Sequence, residues 1–502
     1  MVEINGFDLN INDVYNIAIN DEKVLLSNMA ITNIKKSNES LKNLLKTGKE
    51  IYGVNTGFGS LLDKHISPEN MEEIQNNLIR SHSSGVGEPL PKEYVKAIMV
   101  IRANTLSKGY SGVTVDLIER LLKMVNENII PVIPRYGSVG ASGDLAPLAH
   151  IGLALIGEGD VFYKNERKKS KDVFNELNLN IYKFKEKEGV ALINGTSVIC
   201  GILSIELKKS YDLLESAIAS SSLSFEGLSG TDKAFTKWAI ESRNHDGQVK
   251  IASFLRNILS NSEIVKNANK EKIQDAYSLR CIPQLYGSVV DTLNYVKKVL
   301  TIEINSATDN PLVYNDEYIS TGNFHGEPVA LVSDFLAIAL TDLGNMIERR
   351  IARIVDTKLS NLPPFLIQNS GLYSGYMIPQ YTAAALCNVN KTLVHPNSAD
   401  SIPTSANQED HVSMGTNSTL KLIDIVKNVK FIVAIEYLLG SQSLEFRKYS
   451  MSEFDESIYN EIRNIVKPLT KDRPSTDDIY NILNLMNSNN FKDKINKLIK
   501  LN

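Results

Sequence analysis

Cysteine and histidine are scarce in this chain of 502 residues. The three cysteines, Cys200, Cys281 and Cys387, stand far apart and are odd in number, so they indicate neither a disulfide framework nor a Cys-x-x-Cys metal site. The seven histidines form no His-Glu-x-x-His or other familiar ligand spacing. These scarcities exclude the disulfide-rich secreted class, favour a reducing compartment, and lead us to predict no metal site.

Charge of one sign and long apolar runs are also lacking. The net charge is -4 with 22% charged residues, which does not favour nucleic acid or an anionic membrane surface as a partner. The apolar stretch "VALVSDFLAIALTDLG" is interrupted by Asp334 and Asp342, and falls short of the ~18 residues of a membrane span. The first residues show no apolar block after a basic segment, which argues against a secretory signal. We therefore expect a cytoplasmic protein.

Apolar residues recur at helical spacing along much of the chain, and strand signals are few. Hydrophobic residues make up 43% of the sequence. In "TVDLIERLLKMVNEN", Leu117, Leu121 and Val125 follow a helical period, and Thr114 is suited to cap the first turn. Such segments predict a fold that is mainly α.

Four longer helical patterns are more apolar than a surface helix needs, which indicates a packed central bundle. They cover about residues 201–224, 283–305, 326–358 and 417–440. We expect three regions: a loop-rich N-terminal lobe at 1–200, a central helical bundle at 201–450 and a C-terminal helical tail at 451–502.

The segments between the helical patterns combine glycine with polar side chains. They include "YGVNTGFGS", "RSHSSGVGEP", "LINGTS", "QDAYSLRC", "TGNFHGEP" and "SIPTSANQEDHVSMG". So many loops with Tyr, His, Asn, Gln, Arg or Glu beside glycine suggest polar groups that converge on one site.

The most unusual of these segments is "GSVGASGDLAPLAH" at residues 137–150. It lacks the Gly-Lys-Ser/Thr ending of a phosphate-binding loop and the Gly-x-Ser-x-Gly of a nucleophile elbow. Taken alone, its glycines could simply make tight turns before a helix that starts near Asp144. A serine hydrolase that uses Ser142, or a helical scaffold without activity, would also be compatible with the isolated stretch.

The tripeptide Ala141-Ser142-Gly143 has a further chemical possibility. Attack of the Gly143 amide nitrogen on the Ala141 carbonyl carbon closes a five-membered ring, and loss of water gives an imidazolone. Dehydration of Ser142 then gives a 4-methylideneimidazol-5-one. Gly143 has no Cβ to block the close approach, and Ser142 supplies the hydroxyl that leaves. The product is an electrophile made from the chain itself, which takes the place of an external cofactor.

This stretch resembles the signature of the aromatic amino acid ammonia-lyases, whose members build this group. The resemblance extends over about residues 50–450, through the loops quoted above and in the same order. It implies a mostly helical fold of the ammonia-lyase/fumarase superfamily. It also implies a 4-methylideneimidazol-5-one formed from Ala141, Ser142 and Gly143, and a homotetramer in which each site is shared among subunits.

The resemblance also implies roles for individual residues. Tyr52 matches the base that removes the β-proton of the substrate, although a free tyrosine has a pKa near 10 and needs nearby positive charge or helix N-termini to act. Arg280 matches the residue that binds the substrate carboxylate, a task suited to a bidentate guanidinium. Further matches are the site-lining Tyr277 and Gln274, the substrate- and ring-contacting Asn194, and the ring-forming or ring-seating Asp144 and Phe324. Taken singly, these would be packing, loop-capping or ion-pairing residues.

Two residues bear on which amino acid is the substrate. An imidazole offers one donor and one acceptor, so a selective pocket needs polar partners for both. His82 and Glu409 match the residues that contact the imidazole in the histidine-specific branch of the family. The implied reaction is deamination of L-histidine to trans-urocanate and ammonia. The alternative within the family is a lyase or aminomutase acting on tyrosine or phenylalanine.

Overall fold

The computed structural model describes residues 1–61 and 63–501, of which most are helical: 61% of the chain is helix and 7% is strand. The predicted mainly-α fold is therefore confirmed. The helices, in chain order, are α1 Ile11–Ile19, α2 Asn28–Lys46, α3 Met71–His82, α4 Lys92–Ser107, α5 Val115–Asn126, α6 Leu145–Leu155, α7 Ser170–Glu176, α8 Glu188–Ile193, α9 Ser197–Gly227, α10 Lys237–Glu241, α11 Asp246–Leu259, α12 Glu263–Glu271, α13 Tyr277–Arg280, α14 Ile282–Glu303, α15 Glu327–Val355, α16 Thr357–Ser360, α17 Met377–Leu393, α18 Gly415–Leu444, α19 Glu453–Ile465, α20 Thr476–Asn487 and α21 Asn489–Asn496.

The chain folds into two compact units, each built from three stretches of sequence. The first unit comprises residues 1–208, 296–334 and 396–420, and the second comprises residues 209–295, 335–395 and 421–502. Each unit therefore brings together segments that lie far apart along the chain.

The strands of the described residues all belong to the first unit and are short. They are β1 Val2–Ile4, β2 Val24–Leu26, β3 Val86–Pro89, β4 Ile130–Pro131, β5 Pro134–Tyr136, β6 Asp160–Tyr163, β7 Glu166–Lys169, β8 Leu312–Tyr314 and β9 Glu317–Ile319. Strands β1 and β2 pair in parallel, whereas β3–β5, β4–β6–β7 and β8–β9 are antiparallel. These small sheets join helices and loops rather than form a separate layer.

The predicted helical patterns correspond to observed helices, and local chemistry explains their ends. Thr114 caps α5 as expected, since its side chain accepts a hydrogen bond from the backbone N–H of Leu117. The four long apolar patterns correspond to α9, α14, α15 and α18. By length and composition α15 could span a membrane, contrary to the expectation from its two aspartates. However, 61% of its most apolar window is buried inside the protein, as in a core helix.

A pair of buried acids joins α9 to α19 in the second unit. Glu226 Oε1 accepts from the Ser452 backbone N–H at 2.9 Å, and Asp455 Oδ1 accepts from the Ser222 hydroxyl. The other oxygens, Glu226 Oε2 and Asp455 Oδ2, are also buried, and the two carboxyl groups interact with each other. Two interacting buried carboxyl groups favour a shared proton, because ionising both would place two like charges side by side. Burial accordingly raises the pKa of Glu226 to about 7 and also raises the pKa of Asp455.

This pair predicts a stability that declines with rising pH. The folded Glu226 carboxyl holds its proton more tightly than the unfolded one, whose pKa is near 4.5. Its stabilisation is therefore complete below that value and is lost as pH rises towards 7, with a slope of up to about 1.4 kcal/mol per pH unit. Unfolding by urea across this range should show the slope, and Glu226→Gln should reduce it. Glu456→Gln, an exposed change next to Asp455 on α19, should leave the slope unaltered.

Candidate active site

A cavity of about 330 Å³ in the first unit brings together five of the predicted site residues. They are Tyr52, His82, Ser142, Asn194 and Glu409. Apolar walls come from Phe58, Leu61, Leu78, Leu145, Val190 and Ile193. Residues separated by more than 300 positions thus meet around the hydroxyl of Ser142, as the loop composition predicts.

The last residue of the tripeptide, Gly143, has a backbone setting that only glycine can occupy. Gly143 has φ of +74° and forms a β-bridge with Gly195. A Cβ on Gly143 would lie 2.3 Å from the carbonyl carbon of Gly195, and a Cβ on Gly195 would lie 2.4 Å from Nη1 of Arg102. The two main chains therefore approach too closely for any side chain between them. Ala141 packs with Val412 and Met414 on the opposite side.

Asp144 anchors the end of the tripeptide. Its buried carboxylate accepts hydrogen bonds from the hydroxyls of Ser138, at 3.0 Å, and Thr416, at 2.6 Å. It also accepts from the backbone N–H groups of Val198 and Ile199, in the first turn of α9. Burial nevertheless raises the pKa of Asp144, because complete desolvation outweighs these four bonds. The carboxylate thus ties the tripeptide to α9 and to α18.

Glu409 faces Ser142 directly. Ser142 Oγ donates a hydrogen bond to Glu409 Oε1 at 2.8 Å, and the Thr404 hydroxyl donates to Oε2 at 2.5 Å. A carboxylate that contacts the serine can also contact a molecule bound at the serine.

His82 ends α3 at the cavity wall, with its Nδ1 3.0 Å from Ser81 Oγ. Burial lowers the pKa of His82 more than its hydrogen bond to the Leu78 backbone and the charge of Glu409 raise it. The neutral imidazole suits an uncharged partner ring.

Tyr52 differs from its expected setting. Its hydroxyl accepts a hydrogen bond at 2.8 Å from the N–H of Gly59, which begins a short 3₁₀ turn. Burial and the nearby Glu409 carboxylate nevertheless raise the pKa of Tyr52. Among the described residues that line the cavity there is no Lys or Arg to oppose this. The positive charge that the sequence argument requires is therefore not supplied by the cavity walls.

Asn194 lies at the end of α8 and has an unsatisfied carbonyl. Its side-chain Oδ1 is buried and finds no donor within the described part of the chain. Its backbone carbonyl accepts from Nη2 of Arg102 at 2.7 Å. Arg102 is fully buried in α4 and was not anticipated from the sequence. The available signal was a charged residue directly after the apolar run 97–101 of α4, since a buried charge needs internal partners.

The other predicted substrate-binding residues form a separate group in the second unit. Arg280 Nη1 donates to Gln274 Oε1 at 2.9 Å, and its guanidinium carbon lies 4.7 Å from the centre of the Tyr277 ring. Arg350 supports this group by donating to the carbonyl of Ser278 in α13. The Tyr277 side chain is 70% exposed, and none of the three lines the cavity around Ser142. Phe324 also lies outside the set of lining residues.

The chain belongs to the aromatic amino acid lyase family, which matches residues 9–464. A protein described as "Probable histidine ammonia-lyase" from Thermoplasma volcanium is 58% identical over 97% of this chain and 99% of its own length. A histidine ammonia-lyase from Caldanaerobacter subterraneus is 46% identical over 98% of this chain and 97% of its own length.

Two solved structures resemble the fold over nearly the whole chain. The histidine ammonia-lyase of Trypanosoma cruzi superposes with a TM-score of 0.92 at 37% identity, covering 99% of this chain and 96% of that one. The tyrosine aminomutase of Streptomyces globisporus superposes with a TM-score of 0.95 at 34% identity over the whole of both chains. Proteins acting on different amino acids thus share this fold, so the substrate must be argued from the site.

Proposed function

We propose that this protein is a histidine ammonia-lyase, which converts L-histidine to trans-urocanate and ammonia without oxidation, the first step of histidine degradation. The observation that carries this proposal is the position of Glu409 and His82 in one cavity with Ser142. Glu409 accepts from the imidazole N–H, and the neutral His82 serves the other ring nitrogen. Relatives named for histidine, at 46% and 58% identity over nearly the whole chain, support the choice.

The electrophile of the proposal is a 4-methylideneimidazol-5-one formed from Ala141, Ser142 and Gly143. The surroundings fit such a ring. A Cβ on Gly143 would meet the main chain of Gly195, and the buried Asn194 Oδ1 has no donor among the residues that the structure describes. When present, this group supplies an electron-poor alkene that activates the amino acid for loss of ammonia. Asp144 holds its Gly143 end against α9, and Phe324 is proposed to seat it.

The other residues position the substrate and move its proton. Tyr52 acts as its phenolate, which the Gly59 N–H stabilises, and becomes the neutral phenol when it takes the β-proton. Arg280 binds the carboxylate through paired hydrogen bonds, with Gln274 and Tyr277 beside it. A cation at the cavity would also lower the pKa of Tyr52, which burial raises in the chain alone.

We propose a homotetramer in which Arg280, Gln274 and Tyr277 of one subunit complete the cavity of another. The carboxylate of histidine needs a cation, and the described lining residues include none. Apolar side chains exposed on α14 and α15, Ile302, Phe335 and Ile338, would be covered by such an assembly. The free cysteines suit a cytoplasmic location.

Turnover of histidine, tyrosine and phenylalanine can be compared directly, because each deaminated product is conjugated and absorbs in the ultraviolet. We expect histidine to be the substrate with much the highest kcat/KM. Rapid turnover of tyrosine with none of histidine would instead identify a tyrosine lyase or aminomutase.

Glu409→Gln tests the imidazole contact. The amide keeps the size of the side chain but loses the charge that orients the imidazole N–H, so kcat/KM for histidine should fall by about tenfold or more. Formation of the ring removes two water molecules from the protein, and this mass deficit should persist in the variant. An unchanged kcat/KM would remove Glu409 from the substrate pocket.

A further inference from the structure

Two histidines meet edge to edge beside the cavity. His325 follows Phe324 in the segment before α15, and His411 follows Glu409 by two residues. His411 Nδ1 lies 3.4 Å from His325 Nε2, and the ring planes differ by 22°. The ring centres are 5.4 Å apart, much further than the two nitrogens. Each nitrogen therefore lies on the side of its ring that faces the other ring. The rings therefore meet through their nitrogens, as in a hydrogen bond, rather than through their faces.

The backbone fixes the direction of this hydrogen bond. The N–H of Glu327, the first residue of α15, donates to His325 Nδ1 at 3.3 Å. An amide N–H can only donate, so His325 Nδ1 carries no proton and the neutral ring carries its proton on Nε2. His325 Nε2–H then donates to His411 Nδ1. One continuous series of hydrogen bonds runs from the start of α15 to His411.

The segment that receives this bond carries Glu409 and is largely exposed to solvent. Residues 405–408 and Asp410 are exposed, and Ser405, Ala406 and Asn407 all have positive φ. Within the segment, the Thr404 N–H donates to the Glu409 carbonyl at 2.9 Å. Directly after His411, Val412 is buried against Ala141. His411 thus lies between the exposed part of the segment and its buried attachment to the tripeptide.

We propose that His325 and His411 are positioning residues that hold the Glu409 carboxylate at the substrate ring. Neither histidine lines the cavity, so both act through the segment that carries Glu409. The inference rests on the proposed function, in which Glu409 contacts the imidazole of the substrate. Without the hydrogen bond between His325 and His411, the segment that carries Glu409 can shift. Small displacements of a group that contacts the substrate lower the catalytic rate strongly.

Two amide substitutions of His411 separate the hydrogen bond from the mere presence of a polar side chain. In His411→Asn the amide oxygen takes the place of Nδ1 and still accepts from His325. In His411→Gln the same amide sits one bond further out and cannot occupy that place. We expect His411→Asn to keep kcat/KM for histidine within about twofold, and His411→Gln to lower it by about tenfold, chiefly through KM. Both should keep the mass deficit of the ring.

Hydrogen exchange of peptides spanning residues 401–414 supplies a readout that does not depend on activity. Exchange should accelerate in His411→Gln and stay at the wild-type level in His411→Asn. Equal behaviour of the two variants in both measurements would overturn the inference. Failure of wild-type protein to deaminate histidine would instead refute the proposed function, while the exchange comparison would still decide whether the histidine pair holds the segment.

Discussion

Ser142→Ala is expected to lower kcat for histidine by at least about three orders of magnitude. The substitution removes one hydroxyl, whose described bond is the one to Glu409 Oε1. Ala141, Gly143 and the anchoring carboxylate of Asp144 are unchanged, so the variant should fold with little loss of stability. Without a hydroxyl to eliminate, the electrophilic alkene cannot form.

Intact-mass measurement links this loss of activity to the chemistry. Wild-type protein should be lighter than its sequence mass by two water molecules. Ser142→Ala cannot lose the water that comes from the Ser142 hydroxyl, so its mass deficit should be smaller or absent. Ser81→Ala removes another hydroxyl of the same cavity and should retain the full deficit. Wild-type protein with the full sequence mass and normal turnover would refute the proposed electrophile. It would leave a serine hydrolase to be tested with phosphonate reagents.

The helical architecture could be predicted because its signal is local. A period near 3.6 in apolar residues marks α9, α14, α15 and α18 wherever they lie in space. The composition of the two units could not be predicted in this way. Residues 296–334 and 396–420 belong with the first 208 residues. Periodicity along the chain carries no information about such long-range association.

The site could be predicted in part, for a related reason. Tyr52, His82, Asn194 and Glu409 were expected together with Ser142 from a resemblance that reads residue types, and the cavity brings them together. Features that depend on three-dimensional packing were not foreseen. The pKa of Tyr52 is raised because burial and a neighbouring carboxylate act on it, and neither is visible in a Gly-rich motif.

The interaction that supports Asn194 was missed for the same reason. Arg102 is 92 residues away along the chain, yet it donates to the Asn194 carbonyl and crowds Gly195. The position of Arg102 in α4 predicts that its side chain has partners inside the protein, but it does not identify those partners. The close approach of Gly143 to Gly195 likewise joins two loops whose glycines, taken separately, indicate only turns.

Pairing two inactive variants should restore activity if subunits share the site. Ser142→Ala disables the cavity of the first unit, and Arg280→Met removes the carboxylate-binding cation of the second. In a mixed assembly, a cavity with Ser142 from one parent can receive Arg280 from the other. Random association then leaves roughly one site in four intact. Co-expressed, differently tagged chains purified through both tags should therefore regain a substantial fraction of wild-type kcat.

A second pairing makes this result specific to the sharing of sites. Ser142 and Glu409 belong to one cavity of one chain, where their side chains are hydrogen-bonded. Co-expressed Ser142→Ala and Glu409→Gln can never form an intact cavity, so their mixture should show no more activity than the two parents together. Recovery with the Arg280 pair and not with the Glu409 pair would locate the missing cation on another subunit. If the Arg280 pair stays inactive in mixed assemblies, then each chain must supply its own Arg280.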